Sequence, residues 1–144
     1  MNTDNLVEYR KDLGLNQTEM GKVIGVKKST YACYETKRRI IPIIKLNIIA
    51  NKYNKSLNFL SGNSRHDNIK FVIKDIKLND IGNILKIERK NKNITQEQLA
   101  KKFNVDRTTI SLYERGKCIT IPVLIQYSKL TGKSIDYLCG KADK

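Results

Sequence analysis

The chain has 144 residues, with 28 Lys or Arg against 14 Asp or Glu, so its net charge at pH 7 is +14. This excess favours a polyanionic partner, most commonly nucleic acid, although a Lys-rich composition alone accounts for part of it. No apolar run approaches the roughly 20 residues that cross a bilayer, and the first residues lack the basic-then-apolar order of a signal peptide. We therefore expect a cytoplasmic protein with no membrane partner.

The sequence shows no cluster of residues suited to metal binding or catalysis. Cys33, Cys118 and Cys139 have neither paired Cys-x-x-Cys spacing nor a neighbouring His, which disfavours zinc and a disulfide framework. The one histidine, His66, lies in a polar stretch, and no Ser-His-acid set, carboxylate pair or phosphate-binding Gly loop is evident. We expect no metal, no cofactor, no small-molecule ligand and no enzymatic activity.

In chain order, residues 4–13 predict a first helix. Asn16 is a helix cap, and Glu19 three positions later completes a capping box for a second helix. Gly25 suits the left-handed conformation of a tight turn, after which a third helix is predicted to run to Glu35.

Two more helices follow in this half. Pro42 fits the first turn of a fourth helix that is apolar nearly all round. Ser56 caps a short fifth helix that Gly62 ends.

Residues 95–117 repeat residues 16–38. The corresponding cap, capping-box partner and turn residue are Thr95, Gln98 and Asn104. The copies keep a spacing of 79 residues from Gln17 and Gln96 at their start to Glu35 and Glu114 at their end. A period this long that occurs twice indicates a duplicated domain, not a solenoid.

Residues 63–79 differ from both copies. Apolar side chains alternate at Ile69, Phe71 and Ile73, but Val72 and Ile76 interrupt this strand-like pattern. We expect an extended linker that packs against one domain or pairs with a copy from a second chain, with a short helix as the alternative. After it, Asp80 is expected to cap a helix whose apolar face holds Ile81, Ile84, Leu85 and Ile87.

The duplicated stretches, with their shared Tyr-Glu ending, resemble the helix-turn-helix of the Cro and phage-repressor family, also called the XRE family. The resemblance implies an all-α fold of two tandem four-to-five-helix domains of the lambda-repressor-like type, at residues 1–62 and 80–144, with the linker at 63–79. It implies that the third helix of each domain enters the DNA major groove. In the family, an Arg of the first helix pairs with the Glu that ends the recognition helix, which matches Arg10 with Glu35 and Arg89 with Glu114.

The same resemblance assigns residues to double-stranded DNA. Gln17 and Gln96 match positions that hydrogen-bond a phosphate or brace a base contact. The first residues of the recognition helices are expected at the base edges: Lys27, Lys28, Ser29, Ala32 and Cys33 in one half, and Asp106, Arg107, Thr108, Ser111 and Leu112 in the other. Asp106 is expected to cap its helix and orient it. Basic residues just past each helix would hold phosphates without reading sequence: Lys37, Arg38 and Arg39, and Arg115 and Lys117.

These features predict a sequence-specific DNA-binding transcriptional regulator, a repressor, that reads the major groove with residues 27–34 and 106–113. One alternative is a protein-interaction module of antirepressor or antitoxin type, and another is that one half binds DNA while the other mediates oligomerisation. The loop after the first recognition helix departs from the family pattern, because Glu35-Thr36-Lys37 replaces the Glu-polar-Gly kept at residues 114–116. A single chain would favour an asymmetric site, whereas a homodimer would read four half-sites.

Overall fold

The computed structural model describes all 144 residues and contains ten α-helices and no strand. The first half contains α1 (Asp4–Asp12), α2 (Gln17–Val23), α3 (Lys28–Glu35), α4 (Ile43–Tyr53) and α5 (Leu57–Leu60). The second contains α6 (Leu78–Asn91), α7 (Gln96–Phe103), α8 (Arg107–Glu114), α9 (Ile121–Thr131) and α10 (Ile135–Leu138). The predicted all-α fold with two tandem copies is confirmed. None of these helices is both long enough and apolar enough to cross a membrane.

Both predicted capping boxes form. The Asn16 side chain accepts a hydrogen bond from the Glu19 backbone N–H at 2.8 Å, and the Glu19 carboxylate accepts one from the Asn16 N–H at 3.0 Å. Thr95 and Gln98 make the same exchange at 3.1 and 2.8 Å. Because each box satisfies two backbone donors that a helix start leaves free, α2 and α7 begin where the sequence predicts.

The turns of both helix-turn-helix motifs depend on a left-handed residue. Gly25 has φ +74° and Asn104 has φ +55°, the conformation that Gly and Asn adopt most readily. Each turn is closed by a backbone hydrogen bond of 2.9 Å, from Val26 to Gly21 and from Val105 to Ala100.

The halves share one continuous hydrophobic core. Each half buries one tyrosine and one isoleucine at two equivalent positions, but in opposite order. The first half has Tyr31 on α3 and Ile49 on α4, whereas the second has Ile110 on α8 and Tyr127 on α9. The exchange keeps the summed side-chain volume of the two positions, which is what a close-packed core requires.

The structure corrects two expectations for the start of the second half. Helix α6 begins at Leu78 with Lys77 as its N-cap, so Asp80 lies inside the first turn and does not cap it. Ile87 is 55% exposed, while Glu88 takes a buried place on the inner face. Glu88 is tolerated there because the Tyr137 hydroxyl donates a hydrogen bond to its carboxylate.

The segment that joins the halves contacts both of them, not one domain as expected. Residues 65–77 form neither helix nor strand. The Val72 N–H donates to the Lys141 carbonyl at 2.8 Å, and the Lys74 carbonyl accepts hydrogen bonds from the side chains of Asn47 and Asn51, each at 3.0 Å. We call residues 65–77 the connecting segment. Its extended backbone finds partners in both halves because it lies across the line where they meet.

Candidate nucleic-acid interface

A buried arginine–glutamate pair joins the first helix of each half to the end of the helix that would read DNA. Arg10 Nε and Nη2 lie 2.7 and 3.1 Å from the Glu35 carboxylate oxygens. Arg89 contacts Glu114 in the same bidentate manner at 2.7 and 3.0 Å. The remaining Nη1 of each arginine donates at 2.8 Å to a backbone carbonyl, of Leu15 or of Ile94. These bonds hold α3 and α8 at a set angle to the rest of their domains.

The glutamines at the start of α2 and α7 also bind these pairs. Gln17 Nε2 donates to Glu35 Oε1 at 3.0 Å, and Gln96 Nε2 donates to Glu114 Oε1 at 3.3 Å. Both glutamines therefore connect the first motif helix to the second in the free protein. A phosphate contact at either residue stays a prediction, supported by the positive end of the helix dipole beside it.

The environment of Glu35 keeps its carboxyl ionised. Burial alone would raise the pKa of Glu35, but hydrogen bonds from Arg10 and Gln17 outweigh it, so the pKa lies below its ordinary value. The hydrogen bond with Glu35 in turn raises the pKa of Arg10. The pair is therefore charged throughout the neutral pH range.

Helices α3 and α8 each have one buried and one accessible face. Tyr31 and Tyr34 are buried on α3, as are Ile110, Tyr113 and Glu114 on α8. The predicted base-reading residues lie away from these faces. Lys27, Lys28, Ser29, Asp106, Arg107 and Thr108 are exposed, and Ala32, Cys33, Ser111 and Leu112 are half-buried. Each helix thus presents one polar surface to an approaching ligand.

Asp106 takes the predicted cap position of α8, with an extended backbone, but does not make a side-chain cap hydrogen bond. Its backbone carbonyl instead accepts from Thr109 at 3.0 Å and from Ile110 at 3.4 Å. The exposed carboxylate contributes only a favourable charge near the helix N-terminus.

The loops after the recognition helices both have a left-handed residue at the same position despite their different sequences. Lys37 adopts φ +66° and its counterpart Gly116 adopts φ +80°. The departure from the family pattern therefore keeps this left-handed residue. Beyond it the loops differ, because Cys118 has φ +60° whereas the first loop has no positive φ after Lys37, and residues 36–42 are one more than residues 115–120. The basic residues of both loops are exposed: Lys37, Arg38, Arg39, Arg115 and Lys117.

The structure adds a polar groove beside α8 that the sequence pattern did not indicate. Asn79, Asn83 and Lys86 of α6 line it, opposite residues of the second motif. These residues of the second motif are Gln96, Ser111, Glu114 and Arg115. The signal available in the sequence was the spacing of 79, 83 and 86, which puts three polar residues on one helical face. At the positions of Asn83 and Lys86 the first half has Asp4 and Val7, so only the second half carries a cation there.

Comparison with known families assigns both halves to one domain type. The family model described as helix-turn-helix matches twice, at residues 6–60 and 85–138. No curated protein and no solved structure matches the chain. The two matches together cover most of the sequence and contain both motifs described above. The chain therefore belongs to the helix-turn-helix family of XRE type, as a DNA-binding regulator with two tandem copies of the domain.

Proposed function

We propose that the protein is a sequence-specific transcriptional repressor that inserts α3 and α8 into the major groove of double-stranded DNA. The observation that supports this most directly is the exposed polar face of each helix, held from behind by a buried bidentate ion pair. A recognition helix must keep its orientation when its exposed side chains lose their bound water and contact the edges of the bases. Both helices meet this requirement.

The side chains on these faces suit different bases. Arg107 can bind the O6 and N7 atoms of guanine bidentately, and Lys28 can reach the same acceptors as a point charge. Thr108 and Leu112 suit contact with a thymine methyl group. Because the two helices differ at these positions, they are expected to prefer different sequences.

The surrounding cations are assigned to the phosphate backbone. The exposed basic residues of the two loops flank the recognition helices, and Lys86 adds a charge in the groove beside α8. Such contacts set the register on the duplex but do not distinguish bases. A repressor then acts by occupying a site that the transcription machinery needs.

Selection of binding sites from random duplex DNA tests the proposal. We expect a defined consensus for the wild-type chain. Arg107→Ala and Lys28→Ala should each relax the consensus at the positions they read, with a loss of roughly tenfold or more for the preferred base. Two unchanged consensus sequences would contradict the base-reading assignments, and a reporter placed behind the selected site would show whether binding represses transcription.

A further inference from the structure

The two short helices α5 and α10 cap each other across the line between the halves. The Asp136 carboxylate accepts hydrogen bonds from the backbone N–H groups of Leu57 and Asn58 at 2.8 and 2.9 Å. In return, Asn58 Oδ1 accepts one from the Ile135 N–H at 3.0 Å. Asn58 and Asp136 occupy the same position in the two copies, and so do Leu57 and Ile135. This is the reciprocal contact of a twofold dimer interface, made here within one chain.

A second pair of equivalent residues extends the interface in both directions. Asn63 Nδ2 donates to Ser128 Oγ on α9 at 2.9 Å. Its counterpart Lys141 reaches α4, where the ammonium group donates to Asn47 Oδ1 at 2.7 Å and to Asn51 Oδ1 at 3.0 Å. Lys141 is 1% exposed. A buried ammonium is stable only with hydrogen-bond acceptors around it. Because the acceptors of Lys141 lie in the other half, separation of the halves would break these hydrogen bonds.

The connecting segment closes over this cluster. Its Lys74 carbonyl binds the amide groups of Asn47 and Asn51, the same two residues that accept from Lys141. The ring of Phe71 lies under the Lys141 ammonium, 5.4 Å from nitrogen to ring centre. Both halves and the connecting segment are thereby joined at one place, which opposes independent movement of the halves.

We infer that one chain acts as a complete pseudo-dimer and binds, as a monomer, a single DNA site with two unlike half-sites at one obligatory spacing. This rests on the proposed function. The reciprocal contacts of α5 and α10 indicate a twofold-like relation of the halves, and dimeric helix-turn-helix proteins with twofold symmetry bind half-sites about 10 bp apart. The reading faces are not equal, since Lys28 is matched by Arg107 and Cys33 by Leu112. The site is therefore asymmetric, and the α5 and α10 surfaces are not available to a second copy.

Stoichiometry and spacing test the inference with the unmodified chain. On the duplex obtained by selection, native mass spectrometry should show one chain per site. Insertion of about 5 bp between the half-sites turns them to opposite sides of the helix, and insertion of about 10 bp restores the side but doubles the distance. Both insertions should weaken binding about tenfold or more, because two domains that are packed together can neither rotate to opposite sides of the DNA nor separate to the greater distance. Recovery of affinity at the longer insertion, or two chains per site, would overturn the inference.

Half-site exchange is the matched control. Duplexes with two copies of either half-site should bind at least roughly tenfold more weakly than the natural pair. Arg107→Ala should relax one half-site alone and Lys28→Ala the other, whereas changes at two symmetric places would indicate a homodimer. Absence of any consensus would contradict the proposed function itself. A consensus bound by two chains would contradict only the single-chain inference.

Discussion

Single residues decide how firmly each reading helix is held. The Arg10–Glu35 and Arg89–Glu114 pairs are the only buried ion pairs of the chain, and each also binds a glutamine and a backbone carbonyl. A buried ion pair stabilises the folded state little more than apolar residues of the same size would. Loss of one partner, however, leaves a buried charge without compensation. The pairs therefore matter more for the position of α3 and α8 than for net stability.

Removal of one carboxylate tests that role. Glu114→Ala should lower the free energy of unfolding by about 3–5 kcal/mol, because Arg89 stays buried without its partner. Urea denaturation followed by circular dichroism measures this. Glu97→Ala, an exposed carboxylate on α7, is the control and should change stability by less than about 0.5 kcal/mol. If Glu114→Ala kept its stability and lost only DNA affinity, the structural role would be wrong.

Acid should reveal the lowered pKa of Glu35. Its ordinary value is 4.5 and its value in the folded chain is lower, so the unfolded chain binds the proton first as pH falls. The stability due to this group is present above the ordinary pKa and is lost as pH falls through the folded pKa, with a slope of at most about 1.4 kcal/mol per pH unit.

Glu35→Gln, which cannot titrate, isolates this contribution. Urea denaturation between about pH 5 and pH 3 should give a shallower decline for the variant than for the wild-type chain. Equal slopes would mean that Glu35 has the same pKa in the folded and unfolded chains.

The exposed basic residues of the loops should contribute equally to the affinity for all DNA sequences. Lys117→Ala is expected to weaken binding to the selected site and to unrelated DNA by the same factor. It should also reduce the slope of log affinity against log salt by about one unit. Fluorescence anisotropy across a salt series measures both quantities. A loss confined to the selected site would instead assign Lys117 to base reading.

At the scale of elements, the length of the first helix explains the different loop residues of the two halves. Helix α6 begins at Leu78, whereas α1 begins at Asp4, the counterpart of residue 83. The additional turn of α6 lies over Gly116, where an added Cβ would come within 2.8 Å of the Leu78 carbonyl oxygen and of the Asn79 side chain. The second half therefore needs glycine in this left-handed loop position, while the first half accommodates Lys37.

Two glycine substitutions separate backbone strain from crowding. Gly132 has φ +71° and open space around it, so Gly132→Ala should cost only the left-handed conformation, about 1 kcal/mol. Gly116→Ala has the same strain and the close contacts as well, and should cost about 1–3 kcal/mol more. Thermal and urea denaturation of both variants give the difference. Equal losses would show that α6 moves aside without cost.

At the scale of the whole molecule, the two copies of the domain pack into one unit. The shared core, the reciprocal caps of α5 and α10 and the buried Lys141 all depend on the presence of both halves. Each half alone has only about 60 residues, near the lower limit of size for an independent core. The interface between the halves thus contributes to the stability of the folded chain.

Hydrogen exchange can show whether the halves open together. Amides in the middle of α4 and α9 should exchange with the same free energy of opening, equal to that of global unfolding. Asp136→Ala, which removes the cap of α5 from the opposite half, should lower both values equally. Native-state exchange monitored by NMR measures them. Two separate values would indicate domains that unfold independently.

The predictable parts of this protein are those that depend on neighbours in sequence. A capping box needs residues three positions apart, and the turns at Gly25 and Asn104 need one residue that tolerates positive φ. These local signals and their repetition predicted the helices and the tandem copies, whereas the fold type and the accessible residues of α3 and α8 were implied by the resemblance to a family. The places of Arg10 and Arg89 came from resemblance to a family, since nothing local pairs an arginine with a glutamate 25 residues away.

Only tertiary structure decided how the halves meet. Asn58, Asp136 and Lys141 look like ordinary polar residues in the sequence, and their partners lie in the other copy, so no periodicity could indicate their burial. The path of the connecting segment follows from packing between the copies, whereas the first turn of α6 packs against Gly116 within its own half. Local sequence determined the two helix-turn-helix motifs, because caps and turns are short-range interactions. The packing of the two copies into one unit depended on contacts between residues far apart in the chain, which only folding brings together.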